Sequence, residues 1–315
     1  MHIPDGFLDA KTAIGAGVIS AAGLAIAVRH VQRTLPPRKV PLLGLSAAFI
    51  FAAQMLNFPV IGGTSGHLIG GVLAALLLGP GAAVVVMAAV LIVQCFLFAD
   101  GGVTALGANL FNMALLAPLA GYGVAQLTRR IVPGQRGLIV AAAFGGWCST
   151  VAAAISCAGQ LALSGIVAWG TAFPAMVGIH MLIGVGEGLV TALVLATVVR
   201  ARPELLNEPA SGAEPMSGSV IGLGLVVALG LALFVAPVAC SWPDGLEKVA
   251  QTLGFAPKAA TQPLLAAPIP EYELPGVGSP VVAVALAGAV GTLVVFSLSL
   301  LLARLLVPKA TPNQE

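Results

Sequence analysis

Nine long apolar runs, separated by short polar segments, dominate this sequence of 315 residues. The runs span residues 12–31, 41–58, 68–79, 81–98, 104–127, 138–163, 172–199, 220–240 and 280–303. A helix needs roughly 20 apolar residues to cross a bilayer. Only 8% of the residues are charged, against roughly a quarter in a soluble domain. We therefore predict an all-α, polytopic transmembrane bundle of about nine segments, embedded in the lipid of the cell inner membrane.

The basic residues predict the orientation of this bundle. If the N-terminus lies outside and the runs alternate, 11 of the 14 Lys and Arg residues fall in cytoplasmic segments. Those segments are 29–39, 129–136, 200–202 and 304–309. The positive-inside rule then favours an outside N-terminus and a cytoplasmic C-terminus. A single crossing over 68–98 would reverse this pattern, so that region is either a helical hairpin or a re-entrant arm.

A shift in composition divides the chain. Residues 203–219 are rich in Pro, Glu, Ser and Gly, which is typical of a linker. We therefore predict a module of about seven segments at 1–200, a cytoplasmic linker at 201–219, and a second module at 220–315 with two segments joined by an external loop. The net charge of +2 gives no indication of nucleic-acid binding.

The first two residues form a candidate chelate. The amine of Met1, the amide nitrogen of His2 and the His2 imidazole can close a five-membered and a six-membered ring on one cation. Three nitrogens in one plane suit Ni²⁺ or Cu²⁺ and can also hold Co²⁺. The initiator Met is expected to stay, because its removal generally requires a small second residue. A fourth nitrogen is still needed.

His67 is the candidate for the fourth ligand. It lies in the run IGGTSGHL, which the charge pattern puts on the same outer face as Met1. Thr64 and Ser65 could orient a ligand, and Asn57, near the outer end of the second run, could line the pocket. A flexible glycine turn is the alternative interpretation of this segment.

Two polar residues share one face of the seventh run. Glu187 is the only acidic side chain deep in a predicted span, and it follows His180 by seven residues. A carboxylate there is costly unless it is paired or neutral. A contact with a coupling subunit, a polar gate and a structural hydrogen-bond partner all remain open.

Several motifs resemble a known family. MHIPDGFL, GGTSGHLIGG and HMLIGVGEGLVT resemble the CbiM/NikM family, the substrate-binding components of nickel/cobalt energy-coupling factor transporters. SWPDGLEKVAQTLGF resembles the small CbiN/NikN component with its PDGLE motif. The resemblance implies a fused protein that binds metal through Met1, His2 and His67. It also implies a CbiQ/NikQ-like coupling subunit and CbiO/NikO-like ATPase subunits as partners. The start HIPDGF leans towards nickel.

Three other functions are alternatives to ATP-driven uptake: an intramembrane metalloenzyme, a proton-coupled carrier and a membrane metal sensor. The sequence has no H-E-x-x-H motif and no G-x-x-x-x-G-K-[ST] phosphate loop, so we expect no enzyme, no catalytic cofactor, and ATP hydrolysis in a separate partner. A proton-coupled carrier would have several intramembrane carboxylates and inverted repeats. A membrane metal sensor stays open. Asp244 and Glu247 of the PDGLE motif could help load the metal or could simply solvate a loop.

Overall fold

The computed structural model describes residues 1–206, 217–261 and 264–307. Its helices are α1 Ala10–Thr34, α2 Val40–Gln54, α3 Gly71–Leu78, α4 Pro80–Phe98, α5 Leu106–Ile131, α6 Gly134–Leu163, α7 Trp169–Ala201, α8 Gly218–Val238, α9 Gly245–Leu253 and α10 Pro280–Leu306. Two short strands, β1 Phe58–Val60 and β2 Thr64–Gly66, pair antiparallel. Most of the predicted linker, residues 207–216, lies outside the described residues.

The prediction of an all-α, multi-pass membrane protein is confirmed. Within the described residues, seven helices are long and apolar enough to cross a membrane, namely α1, α4, α5, α6, α7, α8 and α10. The other two predicted segments are shorter. Helix α2 has 15 residues and α3 has eight, and eight residues extend only about 12 Å. The count of nine crossings and the orientation of the termini therefore stay predictions.

Helix α2 lies in the interior of the bundle. Thirteen of its 15 residues are buried, which fits a helix that is apolar on all sides. It packs against α4 of the first module and against α8 and α10 of the second. The two modules therefore share one core. The sequence could not separate this buried helix from a lipid-facing one, because both are uniformly apolar.

A sharp turn joins α3 to α4 at residues 79–82, within the region predicted as a helical hairpin or a re-entrant arm. Gly79 has a φ of +91°, a value that an L side chain rarely adopts. Pro80 then occupies the first helical position of α4, where its missing N–H costs nothing. The turn keeps α3 inside the bundle, where seven of its eight residues are buried.

The glycine-rich segment before His67 forms a hairpin. Gly62 and Gly63 have φ values of +98° and +72° and make the turn between β1 and β2. Phe58 pairs with Gly66, and Val60 pairs with Thr64. The predicted all-α bundle contains no strands, so this small hairpin differs from the prediction. The hairpin fixes the chain immediately before His67.

Helix α9 lies in the connection between α8 and α10 and begins at the PDGLE motif. Asp244 is its N-cap. The Glu247 amide donates to Asp244 Oδ1 (2.8 Å), and the Asp244 amide donates to Glu247 Oε2 (3.0 Å). This reciprocal capping box satisfies two otherwise unpaired N–H groups. It leaves the second carboxylate oxygen of Asp244 free to reach the first module.

Candidate metal-binding site

The N-terminal amine lies at the centre of a buried polar cluster. Met1 is only 4% exposed. Its nitrogen lies 2.9 Å from His67 Nε2 and donates to Asp244 Oδ2 at 2.7 Å. Burial lowers the pKa of the amine, but the Asp244 carboxylate more than reverses this effect, so the pKa lies above its ordinary value. The cluster thus joins the N-terminus to His67 and Asp244, which follow Met1 by 66 and 243 positions in the sequence.

His67 is held in the tautomer that a metal ligand needs. Its Nδ1–H donates to the Leu68 carbonyl at 3.0 Å, which leaves the lone pair of Nε2 facing the Met1 amine. Burial and the charge of the amine lower the pKa of His67 to about 3, so the ring is neutral at physiological pH. Ligating histidines commonly donate their second ring N–H to a carbonyl or carboxylate in this way.

The His2 imidazole lies against His67. The two rings stack with their centroids 5.6 Å apart. His2 Nε2 lies 3.2 Å from Gln94 Oε1, and His2 Nδ1 lies 3.1 Å from Asp100 Oδ1. Two oxygen acceptors would require two ring protons, yet burial lowers the pKa of His2. A neutral imidazole has only one N–H group, so only one of these two contacts is a hydrogen bond.

This orientation differs from the predicted chelate. A six-membered ring through the His2 amide requires Nδ1 to face the same point as the Met1 amine, whereas here Nδ1 faces Asp100. The His2 side chain must therefore turn if it is to share one cation with Met1 and His67. The Met1 nitrogen already lies 2.9 Å from His67 Nε2.

Buried hydrogen bonds fix the segment that follows Met1 and His2. The Ile3 amide donates to Asn109 Oδ1 (2.8 Å), and Asn109 Nδ2 donates to the Ile3 carbonyl (3.1 Å). The Gly102 amide also donates to Ile3 (2.9 Å). Asp5 Oδ1 accepts from the amide and the hydroxyl of Thr104. The N-terminus is therefore anchored to the start of α5.

Thr64 and Ser65 hold the two modules together at this point. The Thr64 hydroxyl donates to the Pro243 carbonyl (3.0 Å), and the Ser65 hydroxyl donates to the Trp242 carbonyl (2.7 Å). The Ser65 amide also donates to Pro243 (2.8 Å). These three bonds fix the residues just before Asp244. Both side chains therefore fix the backbone just before Asp244, whose carboxylate reaches Met1. None of these three bonds involves His67.

Glu187 anchors the chain just after His67. Its carboxylate is fully buried and accepts from the amides of Ile69 (2.5 Å) and Gly70 (3.0 Å). Of the three interpretations left open, these contacts agree with the structural hydrogen-bond partner. They also explain how α7 sets the position of His67, two residues before Ile69.

His180 lines the cluster from the opposite side. It is 2% exposed, and its Nδ1–H donates to the Met176 carbonyl at 2.7 Å. It shares a cavity of about 10 Å³ with Met1, His67 and Asp244, a volume that holds about one water molecule.

The structure does not bring Asn57 to this cluster. Asn57 lies beside a different cavity near Val238 and Cys240.

Sequence reasoning missed Gln94 and Asp100 as neighbours of His2. Gln94 is fully buried in α4 and also donates to Gln54 Oε1 (2.6 Å). A polar residue inside an apolar run is a usable signal, but nothing in the sequence shows which face of α4 meets the N-terminus.

Within the described residues, no group of three or more His, Cys, Asp or Glu side chains is arranged to hold a metal ion. A site at Met1 would draw part of its ligand set from the backbone.

The fold defines a multi-pass membrane protein with nitrogen donors gathered at one end of the bundle. Residues 2–205 match the CbiM family model, described as the cobalt uptake substrate-specific transmembrane region. This chain therefore belongs to the CbiM family. Residues 218–308 match the PDGLE domain.

Relatives share one or both of these modules. The fused protein NikMN of Archaeoglobus fulgidus, to which nickel transport is provisionally assigned, is 36% identical over 96% of this chain and 98% of its own. The fused nickel transport protein NikMN of Rhodobacter capsulatus is 35% identical over 65% of this chain and 64% of its own. A crystal structure of a truncated transition metal transporter matches with a TM-score of 0.58 and 35% identity, covering 64% of this chain and 99% of that one.

Proposed function

We propose that this chain captures Ni²⁺ or Co²⁺ as the substrate-binding subunit of an energy-coupling factor uptake transporter. The ligands are the Met1 amine, the amide and imidazole of His2, and His67 Nε2. The observation that carries this proposal is the 2.9 Å contact between the buried Met1 amine and the lone pair of His67. The metal ion is cargo, and no catalytic cofactor is involved.

Nickel is the favoured ion. Four nitrogens that approach one plane suit Ni²⁺, which accepts square-planar geometry. The fused NikMN protein of Archaeoglobus fulgidus, which carries nickel transport in its name, matches 96% of this chain and therefore both of its modules. A cobalt transport protein CbiM of Pelobacter propionicus is 34% identical over 68% of this chain, so the first module alone does not separate the two ions.

The second module supplies charge at the capture site. In the metal-free protein, Asp244 holds the Met1 amine as an ammonium ion. Binding requires that the amine release a proton, because only the neutral amine has a lone pair for the metal. The ion pair therefore has to be exchanged for a metal–nitrogen bond. This exchange gives the PDGLE module a role in metal loading.

The remaining parts of the transporter lie in other chains. We propose a CbiQ/NikQ-like coupling subunit and CbiO/NikO-like ATPase subunits as partners, with the N-terminus outside the inner membrane and modules at 1–200 and 220–315. The family matches at 2–205 and 218–308 support this division. If reconstituted uptake proceeds without the ATPase partner, a secondary carrier becomes the better account. Metal binding without uptake, even with the partners present, would favour a sensor.

Substitution of two histidines tests the metal site. His67→Ala removes the nitrogen next to Met1, whereas His30→Ala removes an imidazole at a separate cavity lined by Arg38 and Arg129. We expect calorimetric titration with Ni²⁺ to show lost binding for His67→Ala and wild-type binding for His30→Ala. Equal behaviour of the two variants would reject the assignment of His67.

A further inference from the structure

A polar cavity of about 580 Å³ lies at the end of the bundle opposite the Met1 cluster. Its walls come from the end of α1, the segment before α2, the turn between α3 and α4, and α5. The first residues of α4 adjoin this cavity, whereas Gln94, near the other end of the same helix, contacts His2. Helix α4 has 19 residues and so extends about 28 Å. The cavity is therefore separate from the proposed metal site.

Three cationic side chains meet at this cavity. Arg38, Lys39 and Arg129 line it together with the His30 imidazole, and no Asp or Glu of the described chain is among its lining residues. Within the same described ranges, neither Arg38 nor Arg129 forms an ion pair. Like charges that converge in this way repel each other, and an anion between them lowers the electrostatic energy.

The packing of the helices holds the walls of the cavity in place. Lys39 Nζ donates to the Leu77 carbonyl at 3.3 Å, which ties the segment before α2 to the end of α3. His30 packs against the start of α4, because a Cβ atom at Gly81 would come within 2.6 Å of the imidazole ring. The cavity is thus built from several elements that contact one another, and it is not an isolated surface lysine or arginine.

The positive-inside rule accounts for basic residues at this end of the bundle, but it does not require them to converge. Arg33 and Arg130 lie at the same end, in the last turns of α1 and α5, and neither lines the cavity. Arg38 and Arg129 come from segments that are remote in sequence, yet both line it. The convergence therefore indicates a binding site and not only a general excess of positive charge.

We propose that this cavity binds the phosphate group of an anionic phospholipid. The guanidinium groups of Arg38 and Arg129 present paired N–H donors that match phosphate oxygens, and Lys39 adds a point charge. Basic pockets between transmembrane helices bind lipid headgroups of this kind.

Exposed apolar side chains beside the cavity favour a lipid over a free phosphate compound. Ile26 lies one turn before His30 on α1, and Leu119 lies one turn before the lining residue Tyr122 on α5. Both Ile26 and Leu119 are exposed, as expected for side chains that contact acyl chains. A headgroup in the cavity would therefore leave its acyl chains against an apolar surface.

A titration with short-chain lipids tests this proposal. The full chain in detergent is titrated with dioctanoyl phosphatidylglycerol, with zwitterionic dioctanoyl phosphatidylcholine and with inorganic phosphate, and the unfolding temperature reports binding. Arg38→Gln/Arg129→Gln removes two cations from the cavity. Arg33→Gln/Arg130→Gln is the matched control, because it removes the same charge from the same end of the bundle.

We expect phosphatidylglycerol to raise the unfolding temperature of the wild type more than phosphatidylcholine or inorganic phosphate does at equal concentration. Its affinity should fall about 30-fold in Arg38→Gln/Arg129→Gln, since each basic side chain near a lipid headgroup contributes about a factor of five. The control variant should keep the wild-type affinity. If the double variant shows no cooperative unfolding without lipid, Arg38→Gln and Arg129→Gln are tested singly, each with an expected loss of about fivefold.

Three results would overturn the proposal. Equal losses of affinity in the cavity variant and the control variant would mean that phosphatidylglycerol is attracted to the whole basic end of the bundle. Stabilisation by inorganic phosphate as strong as that by phosphatidylglycerol would identify a free phosphate compound as the ligand. Equal stabilisation by phosphatidylcholine and phosphatidylglycerol, or none by either, would show that the cavity does not recognise an anionic lipid.

Discussion

Asparagine 109 offers a direct way to separate the anchoring of the N-terminus from the stability of the bundle. Asn109 is 3% exposed and makes two hydrogen bonds to the backbone of Ile3, at 2.8 and 3.1 Å. Asn109→Ala removes both. A net hydrogen bond contributes about 0.5–1.5 kcal/mol, so the anchor contributes ~1–3 kcal/mol.

That energy is expected to appear in the metal affinity. Without Asn109 the segment at Ile3 is less ordered, and binding has to order it again. Since 1.4 kcal/mol is a tenfold change in Kd, a loss of ~1–3 kcal/mol corresponds to about 5- to 150-fold weaker binding. The Met1 and His67 donors are untouched, so the stoichiometry should stay at about one ion per chain.

Asn112 provides the matched control on the same helix. It is fully buried, donates to Gln160 Oε1 (2.8 Å) and accepts from Ser156 (2.6 Å) and Gln160 (3.0 Å). Asn112→Ala should lower the unfolding temperature at least as much as Asn109→Ala does. Its Kd for Ni²⁺, measured by calorimetry, should equal that of the wild type, because its bonds join α5 to α6. Equal losses of affinity in the two variants would refute this reasoning.

Two further predictions concern buried carboxylates. Glu187→Ala should lower stability by ~2–6 kcal/mol, because it leaves two buried amides at ~1–3 kcal/mol each without an acceptor. Glu187→Gln should lose about half as much and still bind one ion, and the exposed Glu204→Gln serves as the control in thermal unfolding. Burial alone would raise the pKa of Asp244, but the Met1 amine reverses this and lowers it, while the pKa of the amine is raised. The stabilisation by Asp244 is therefore lost as pH falls below about 4, and that by the amine is lost as pH rises above about 8. Asp244→Asn keeps an N-cap residue but removes the charge, so its unfolding temperature should depend less on pH both at the acidic and at the basic limit. A wild-type dependence of unfolding temperature on pH in this variant would contradict the ion pair.

The sequence predicted the membrane class and the meeting of the N-terminus with the His67 segment. Both depend on strong signals, since long uncharged runs have few alternatives and the charge pattern assigned Met1 and His67 to one face. The interior position of α2 could not be predicted, because a helix buried by protein and one surrounded by lipid have the same composition. The β1–β2 hairpin was missed because a glycine-rich stretch has little strand propensity.

The neighbours of His2 were beyond sequence reasoning for a geometric reason. Gln94 and Asp100 contact His2 only because α4 presents one face to the N-terminus, and an apolar helix carries no amphipathic pattern that would reveal that face. Asn109 and Asn112 show the same difficulty on α5: Asn109 binds the backbone of Ile3, whereas Asn112 joins α5 to α6.

Addition of a single residue before Met1 tests the central claim most directly. The extension turns the terminal amine into an amide and displaces the free amine from His67 and Asp244, while every side chain is retained. The same residue added at the C-terminus is the control, and intact mass spectrometry verifies both termini. We predict that calorimetric titration with Ni²⁺ shows no binding for the N-terminal extension and wild-type binding for the control. Unchanged affinity in the N-terminally extended protein would contradict the account, because the amine would then not be a ligand.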